Sequence, residues 1–198
     1  AEVGPYSKTR IQAGIQSDGF GWTLSDGEAF HTPEAVLSYS GTGKNALSQN
    51  LHRFIRRHIV PVYWADRERP ILLNNWEATY FNFNEHKLLS LAKQAAKLGL
   101  ELFVLDDGWF GNRDSDTCAL GDYTVNKKKL PHGLEGLVKK ITDLGLKFGL
   151  WFEPEMVSPD SDLYRAHPDW AVSVPGISPS LSRNQLLLDL CREDVRQY

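Results

Sequence analysis

The sequence predicts an α/β fold: the first half of a (β/α)8 TIM barrel, preceded by the end of an antiparallel β-sandwich domain. Three observations carry that expectation. From residue 61 onward, apolar runs that read as strands alternate with helical patterns in the order β-α-β-α-β-α-β, and such alternation implies a parallel sheet with right-handed crossovers. The runs end in polar residues or carboxylates, at the strand ends where α/β folds bind ligands. Residues 1–42 show short alternating stretches parted by turn residues instead, the pattern of antiparallel strands.

In that first segment, Arg10 to Gln16 alternates, as does Phe20 to Leu24. Ser25-Asp26-Gly27 marks a turn before two more short stretches, Glu28 to Pro33 and Ala35 to Tyr39. Gly41 and Gly43 break the pattern. A linker helix is expected over 43–60, because Leu47, Leu51, Phe54 and Ile55 recur at helical spacing. Arg53, Arg56, Arg57 and His58 read as its solvated face, with a binding patch as the alternative.

The barrel segment is expected over 61–198. Pro70 to Trp76 is its first strand. Asn84 is a plausible N-cap for a helix whose face is Leu88, Leu91, Ala92, Ala95 and Leu98, closed by Gly99. The second strand, Glu101 to Leu105, runs straight into Asp106, Asp107 and Gly108. A polar loop from Asn112 to Lys129 is too long for a mere connector. Leu134, Leu137, Ile141 and Leu144 mark the next helix, stopped by Gly145. Leu146 to Glu155 is a third strand, a short helix follows around Asp162 to Ala166, and Gln185 to Leu190 reads as a fourth strand before a helix from Arg192.

The centre of the pattern is the pair Asp106 and Asp107. Side chains alternate along a strand, so only one of the two faces the barrel axis unless the strand is already turning. The functional reading is a polar clamp that accepts hydrogen bonds from ligand hydroxyls. The alternative is a helix cap, and Asp-Gly is also a common turn dipeptide; no helical period begins directly after Trp109, which favours the clamp. Six tryptophans are many for 198 residues, and flat aromatic faces suit the apolar side of a pyranose.

Composition excludes other classes. A net charge of -3 argues against nucleic acid or an anionic membrane as partner. No apolar run approaches the roughly 20 residues that a membrane span needs. Residues 1–30 lack a basic region followed by an apolar core, so no signal peptide is expected. Cys118 and Cys191 have no metal-like spacing and read as free thiols. A closed barrel needs roughly 250 residues, and four parallel strands alone leave an inner edge unpaired. The sequence is therefore expected to be a fragment.

Four motifs in order carry a family resemblance. Ile71-Leu-Leu-Asn-Asn-Trp-Glu-Ala-Thr-Tyr-Phe81, Leu105-Asp-Asp-Gly-Trp-Phe-Gly111, Phe148-Gly-Leu-Trp-Phe-Glu-Pro-Glu-Met-Val157 and Ser182-Arg-Asn-Gln185 together resemble the α-galactosidases of glycoside hydrolase family 36. Thr32-Pro-Glu-Ala-Val36 resembles the end of that family's N-terminal β domain. The resemblance implies a retaining enzyme that removes terminal α-linked galactose from raffinose-type sugars, often as a homo-tetramer and, in bacteria, cytoplasmic. Within the same resemblance stand an α-N-acetylgalactosaminidase or a raffinose-synthase-like transglycosylase; a non-catalytic galactose-binding protein is the reading from another class.

By resemblance, Asp106 and Asp107 bind the 4- and 6-hydroxyls of galactose, Trp76 and Trp151 line the sugar subsite, and Arg183 donates to hydroxyls there. The two tryptophans have strand-end packing as their alternative. A carboxylate placed for the axial 4-hydroxyl is badly paired by the wrong epimer, which is how such a site discriminates. Retaining hydrolysis also needs two carboxylates about 5 Å apart. The family places its nucleophile in a Lys-x-Asp strand end and its acid/base further on, and neither stretch occurs before Tyr198. Glu153, Glu155 and Asp189 are therefore not assigned catalytic roles; Glu153 and Glu155 share one strand parity beside Pro154 and read as braces. Tyr123 stands where the family suggests a Trp, and the loop around Cys118 is variable ground that bears on linkage preference. No metal or organic cofactor is implied.

Overall fold

The structure, a computed structural model, describes residues 2–3, 6, 8–16, 18, 20–179, 181 and 183–198. Positions 1, 4, 5, 7, 17 and 19 of the expected β segment, and Ser182 of the last motif, lie outside the described residues. The chain divides into two units, residues 1–68 and 69–198.

In the first unit, β1 (Glu2–Val3) pairs antiparallel with β2 (Thr9–Arg10). The other expected strands do not form: 11–16, 20–24, 28–33 and 35–39 carry no ladder, and nearly all their side chains are exposed, Leu37 and Tyr39 among them. Alternation prepares a stretch for a sheet, but a strand exists only when a neighbour takes its backbone groups. The turn at Ser25 does form, closed by the Glu28 N–H on the Ser25 carbonyl at 3.1 Å. Helix α1 (Lys44–His58) follows Gly43, whose φ of 98° suits glycine. Its apolar stripe is only half-buried, and Arg56, Arg57 and His58 occupy the last turn, where the helix dipole favours cations. Helix α2 (Val62–Ala65) is a single turn.

The second unit runs in the order β3 (Leu72–Asn74), α3 (Trp76–Thr79), α4 (Glu85–Lys97), β4 (Leu102–Leu105), α5 (Gly133–Thr142), β5 (Lys147–Leu150), β6 (Met156–Val157), α6 (Asp162–Ala166), a 3-10 turn (Pro168–Trp170), β7 (Leu186–Leu187) and α7 (Glu193–Gln197). Strands β3, β4 and β5 form a parallel sheet with β4 in the middle, Leu72 beside Leu102 and Leu102 beside Lys147. The fold is thus mixed α/β with a parallel sheet.

The expected fourth parallel strand is a correction. Within Gln185–Leu190 the strand is only β7, and it pairs antiparallel with β6, Leu186 opposite Val157. The Leu188 N–H extends the pairing to the Glu155 carbonyl at 2.9 Å. An apolar run sets burial but does not choose its partner, and here the turn after β5 brings Met156 and Val157 alongside first. Leu187 is half exposed, so this strand is buried on one side only.

The crossovers follow from local chemistry. Asn84 caps α4, its side chain accepting the Lys87 N–H at 3.0 Å. Leu88, Ala92 and Ala95 are buried against Phe103 and Leu105 of β4, together with Leu137 and Ile141 of α5. Each such buried leucine or phenylalanine contributes about 1.5–3 kcal/mol. Gly99 and Gly145 end the two helices with φ of 80° and 85°. Leu98, expected on the buried face, is exposed because it sits at the C-cap, where the chain turns away. A smaller cluster of Val157, Leu163, Trp170, Leu186 and Val195 lies under β6 and β7. Among the described residues, no helix is long and apolar enough to cross a membrane.

Candidate active site

The ends of β3, β4 and β5 converge, and two consecutive asparagines do most of the positioning. Asn75 is fully buried; its Oδ1 accepts the Asp106 N–H at 2.8 Å, and its Nδ2 donates to Thr79 Oγ1 at 2.9 Å. Asn74 donates through Nδ2 to Asp106 Oδ2, and its Oδ1 accepts the Trp76 N–H at 2.8 Å. The same asparagine therefore orients the carboxylate and starts the turn of α3 that carries Trp76. That indole is half-buried and packs edge-on against Tyr80 and Phe81, with centroids 5.2 and 5.0 Å away.

Asp106 is half-buried, and its Oδ1 accepts the Asp107 N–H at 2.7 Å. Asp107 is buried and turned toward the loop that follows β4. There the fully buried Arg113 donates Nε to Oδ1 at 3.0 Å and to Oδ2 at 3.2 Å, and Nη2 to Oδ2 at 2.8 Å. Removing one partner of such a pair leaves an uncompensated buried charge, at a cost of about 3–5 kcal/mol. The two aspartates thus occupy different surroundings, as strand alternation requires. Sequence reasoning did not single out Arg113: one arginine in a polar loop gives no sign of the carboxylate it will meet.

The loop is built rather than loose. Gly108 has φ 94°, and Lys129 Nζ reaches its carbonyl at 2.9 Å and that of Arg113 at 3.1 Å. Phe110 bridges to Val125, and the Asn126 N–H meets the Trp109 carbonyl at 2.9 Å. The Cys118 carbonyl accepts Arg113 Nη1 at 2.8 Å. Cys118 and Cys191 are free thiols.

On the third strand, the Trp151 N–H reaches the Leu105 carbonyl at 2.9 Å, which sets Trp151 beside Asp106, and its own carbonyl accepts Trp109 Nε1 at 3.0 Å. Arg183 has a left-handed backbone, φ 53°, and Nη1 stands 3.9 Å from Glu153 Oε1. Burial pushes the Glu153 carboxyl above its ordinary range, although Arg183 pulls it down. Glu153 Oε2 and Gln185 Nε2 are buried with no hydrogen-bond partner among the described residues. Tyr123 donates its hydroxyl to the Glu153 carbonyl at 2.8 Å, and burial raises its pKa.

Trp76, Asp106, Asp107, Trp151 and, through Glu153, Arg183 therefore lie along one edge of the sheet. Glu155 is exposed, and Asp189 caps a turn by accepting the Cys191 N–H at 3.1 Å. A cavity of about 510 Å³ opens elsewhere, between Tyr123, Phe152, Trp170, Leu188 and Tyr198; Trp76, Asp106, Asp107, Trp151 and Arg183 do not line it. Among the described residues, no group of three or more His, Cys, Asp or Glu is arranged to hold a metal ion.

Comparison with known proteins joins this edge to a family. The Melibiase family model matches residues 29–198. The chain belongs to the Melibiase family. It is 55% identical over 197 residues to α-galactosidase AgaA of Geobacillus stearothermophilus, spanning 100% of this chain and 27% of the relative. It is 50% identical to α-galactosidase Mel36A of Lactobacillus acidophilus, spanning 96% of this chain and 26% of that one. This Melibiase chain thus spans about a quarter of the length of these relatives.

The solved structures agree. The crystal structure of AgaA, described as a GH36 α-galactosidase, superposes with a TM-score of 0.89 at 57% identity, over 93% of this chain and 26% of that one. The α-galactosidase of Lactobacillus brevis superposes with a TM-score of 0.92 at 53% identity, over 100% of this chain and 26% of that one. Variants of AgaA have been crystallised in complex with raffinose and with stachyose. The resemblance read from the four motifs is the family the Melibiase match gives.

Proposed function

We propose that this chain carries the galactose-binding part of a retaining α-galactosidase that acts on raffinose-type oligosaccharides, with residues 69–198 as the opening portion of a (β/α)8 barrel. The observation that carries the reading is the acceptor array at the edge of the sheet. Asp106 spends one acceptor position of Oδ1 on the Asp107 N–H and one of Oδ2 on Asn74, so each oxygen keeps another for a ligand hydroxyl. Asp107 keeps one on Oδ1. In the proposal, Asp106 and Asp107 accept from the 4- and 6-hydroxyls, Trp76 and Trp151 flank the apolar face of the sugar, and Arg183 donates to a hydroxyl. The relatives' complexes with raffinose and stachyose support that substrate class.

The nucleophile and the acid/base are not assigned within residues 1–198: Asp189 is occupied in a turn, and Glu155 points to solvent. Homo-tetrameric assembly and a cytoplasmic location extend the proposal on the resemblance alone.

The test is hydrolysis of raffinose and of p-nitrophenyl α-galactoside by the protein expressed at its relatives' length. Asp107→Ala is expected to lower kcat/KM by a factor of about 100 or more, since a site built around a hydroxyl loses most when its acceptor goes. An unchanged kcat/KM sinks the clamp, and galactose binding without any turnover favours a lectin-like protein instead.

A further inference from the structure

We infer that Arg113 is a positioning residue for sugar recognition: it fixes the Asp107 carboxylate so that only Oδ1 is left to receive a single hydroxyl. This rests on the galactosidase reading above and deepens it. Arg113 makes no use of solvent; its side chain is 0% exposed and that of Asp107 is 3% exposed. Nε and Nη2 grip the carboxylate side-on, with two donors on Oδ2 and one on Oδ1. The third nitrogen is held as well, by the Cys118 carbonyl at 2.8 Å.

The backbone of Arg113 is anchored independently. Its N–H donates to the Phe110 carbonyl at 3.2 Å, and its carbonyl accepts Lys129 Nζ at 3.1 Å. Lys129 also holds the Gly108 carbonyl, one residue past Asp107, and pairs with Asp114 at 2.8 Å. Both ends of the Asp107–Arg113 connection are thus tied to one ammonium group, which is what a rigid carboxylate requires. A carboxylate oxygen accepts about two hydrogen bonds, so Oδ2 is filled and Oδ1 has one position open. Asp107 is then a one-hydroxyl acceptor, while the Asp106 carboxylate, held among the described residues by Asn74 and a backbone N–H, has a position open on each oxygen.

The test uses the protein at its relatives' length and three substrates: p-nitrophenyl α-galactoside and its 4-deoxy and 6-deoxy analogues. The ratio of kcat/KM for the galactoside over each analogue is independent of how much enzyme is folded. Arg113→Lys keeps the charge but loses the planar fork, and is expected to lower one of the two ratios about tenfold while the other holds. Both ratios unchanged, with a uniform loss of activity, makes Arg113 structural and overturns the inference. If Arg113→Lys gives no folded enzyme, Lys129→Met decides instead: a several-fold drop in one ratio while the other holds supports the inference, and unchanged ratios overturn it. An unmutated enzyme that hydrolyses none of the three defeats the galactosidase reading itself, and one that treats all three alike overturns the inference.

Discussion

Asn75 Oδ1 accepts the backbone N–H of Asp106 at 2.8 Å, and this bond joins the end of one parallel strand to the functional turn of the next. Asn74, its neighbour, takes the carboxylate of the same residue. The amide and the side chain of Asp106 are therefore fixed by two adjacent residues of β3 and the turn after it. Asn75→Ala is expected to destabilise the chain by about 1–3 kcal/mol, because it strands a buried N–H and removes the bond to Thr79. Urea denaturation measures the loss, and a midpoint equal to the wild type's contradicts the account.

Gly108 offers a sterner test of the same turn. Its φ of 94° is unfavourable for an L side chain, and an added Cβ would meet Phe81 Cδ1 at 2.9 Å and the Arg113 carbonyl at 3.3 Å. Gly108→Ala is expected to cost about 1–3 kcal/mol from backbone strain alone, with the clash adding to it. Denaturation of the variant checks this, and a neutral outcome means the turn can relax.

Two carboxylates, one buried and one partly buried, make opposite pH predictions. Glu85 is 7% exposed at the start of α4; burial alone would raise its pKa, but Lys140 and His132 of the facing segment outweigh that and hold it below the ordinary value of 4.5. A lowered folded pKa gives stability that is present above the unfolded value and lost as the pH falls through the folded one. Glu85→Gln should therefore lower Tm at pH 7, and the gap from wild type should close below about pH 4.5. A gap that stays constant from pH 7 to pH 3 contradicts the ionic tie between α4 and α5.

Glu153 goes the other way. Burial raises its pKa, so its ionised form is disfavoured in the fold above the ordinary carboxyl range. Glu153→Gln should raise Tm at neutral pH, with the gain vanishing on acidification toward the unfolded pKa. A variant less stable than wild type at pH 7 would show that the contact with Arg183 dominates.

What the sequence made legible was local. The Asn84 cap, the glycines that close α4 and α5, and the five residues of α6 were readable because cap chemistry and helical period act over a few residues. The three parallel strands were readable because each apolar run meets polar residues at the same end. The partner of Leu186 and Leu187 was not, since pairing with Met156 and Val157 depends on a turn some thirty residues earlier. The segments from Ile11 to Tyr39 alternate as strands do, yet find no ladder among the described residues. At the site, Asp106 and Asp107 stood out by their place at a strand end, while Trp76 and Trp151 were singled out only by the family resemblance. Arg113, Asn74 and Asn75 gained their roles only from distances across the fold.

Asp106 and Asp107 are proposed to recognise the axial 4-hydroxyl and the 6-hydroxyl of galactose. The most direct measurement is calorimetric titration of galactose and of glucose, its 4-epimer, into the wild-type protein at its relatives' length and into its Asp106→Asn variant. The account predicts that galactose binds the wild type at least about tenfold more tightly than glucose and that the variant loses most of that preference. Equal affinity for the two epimers in the wild type, or an undiminished preference in the variant, would contradict it.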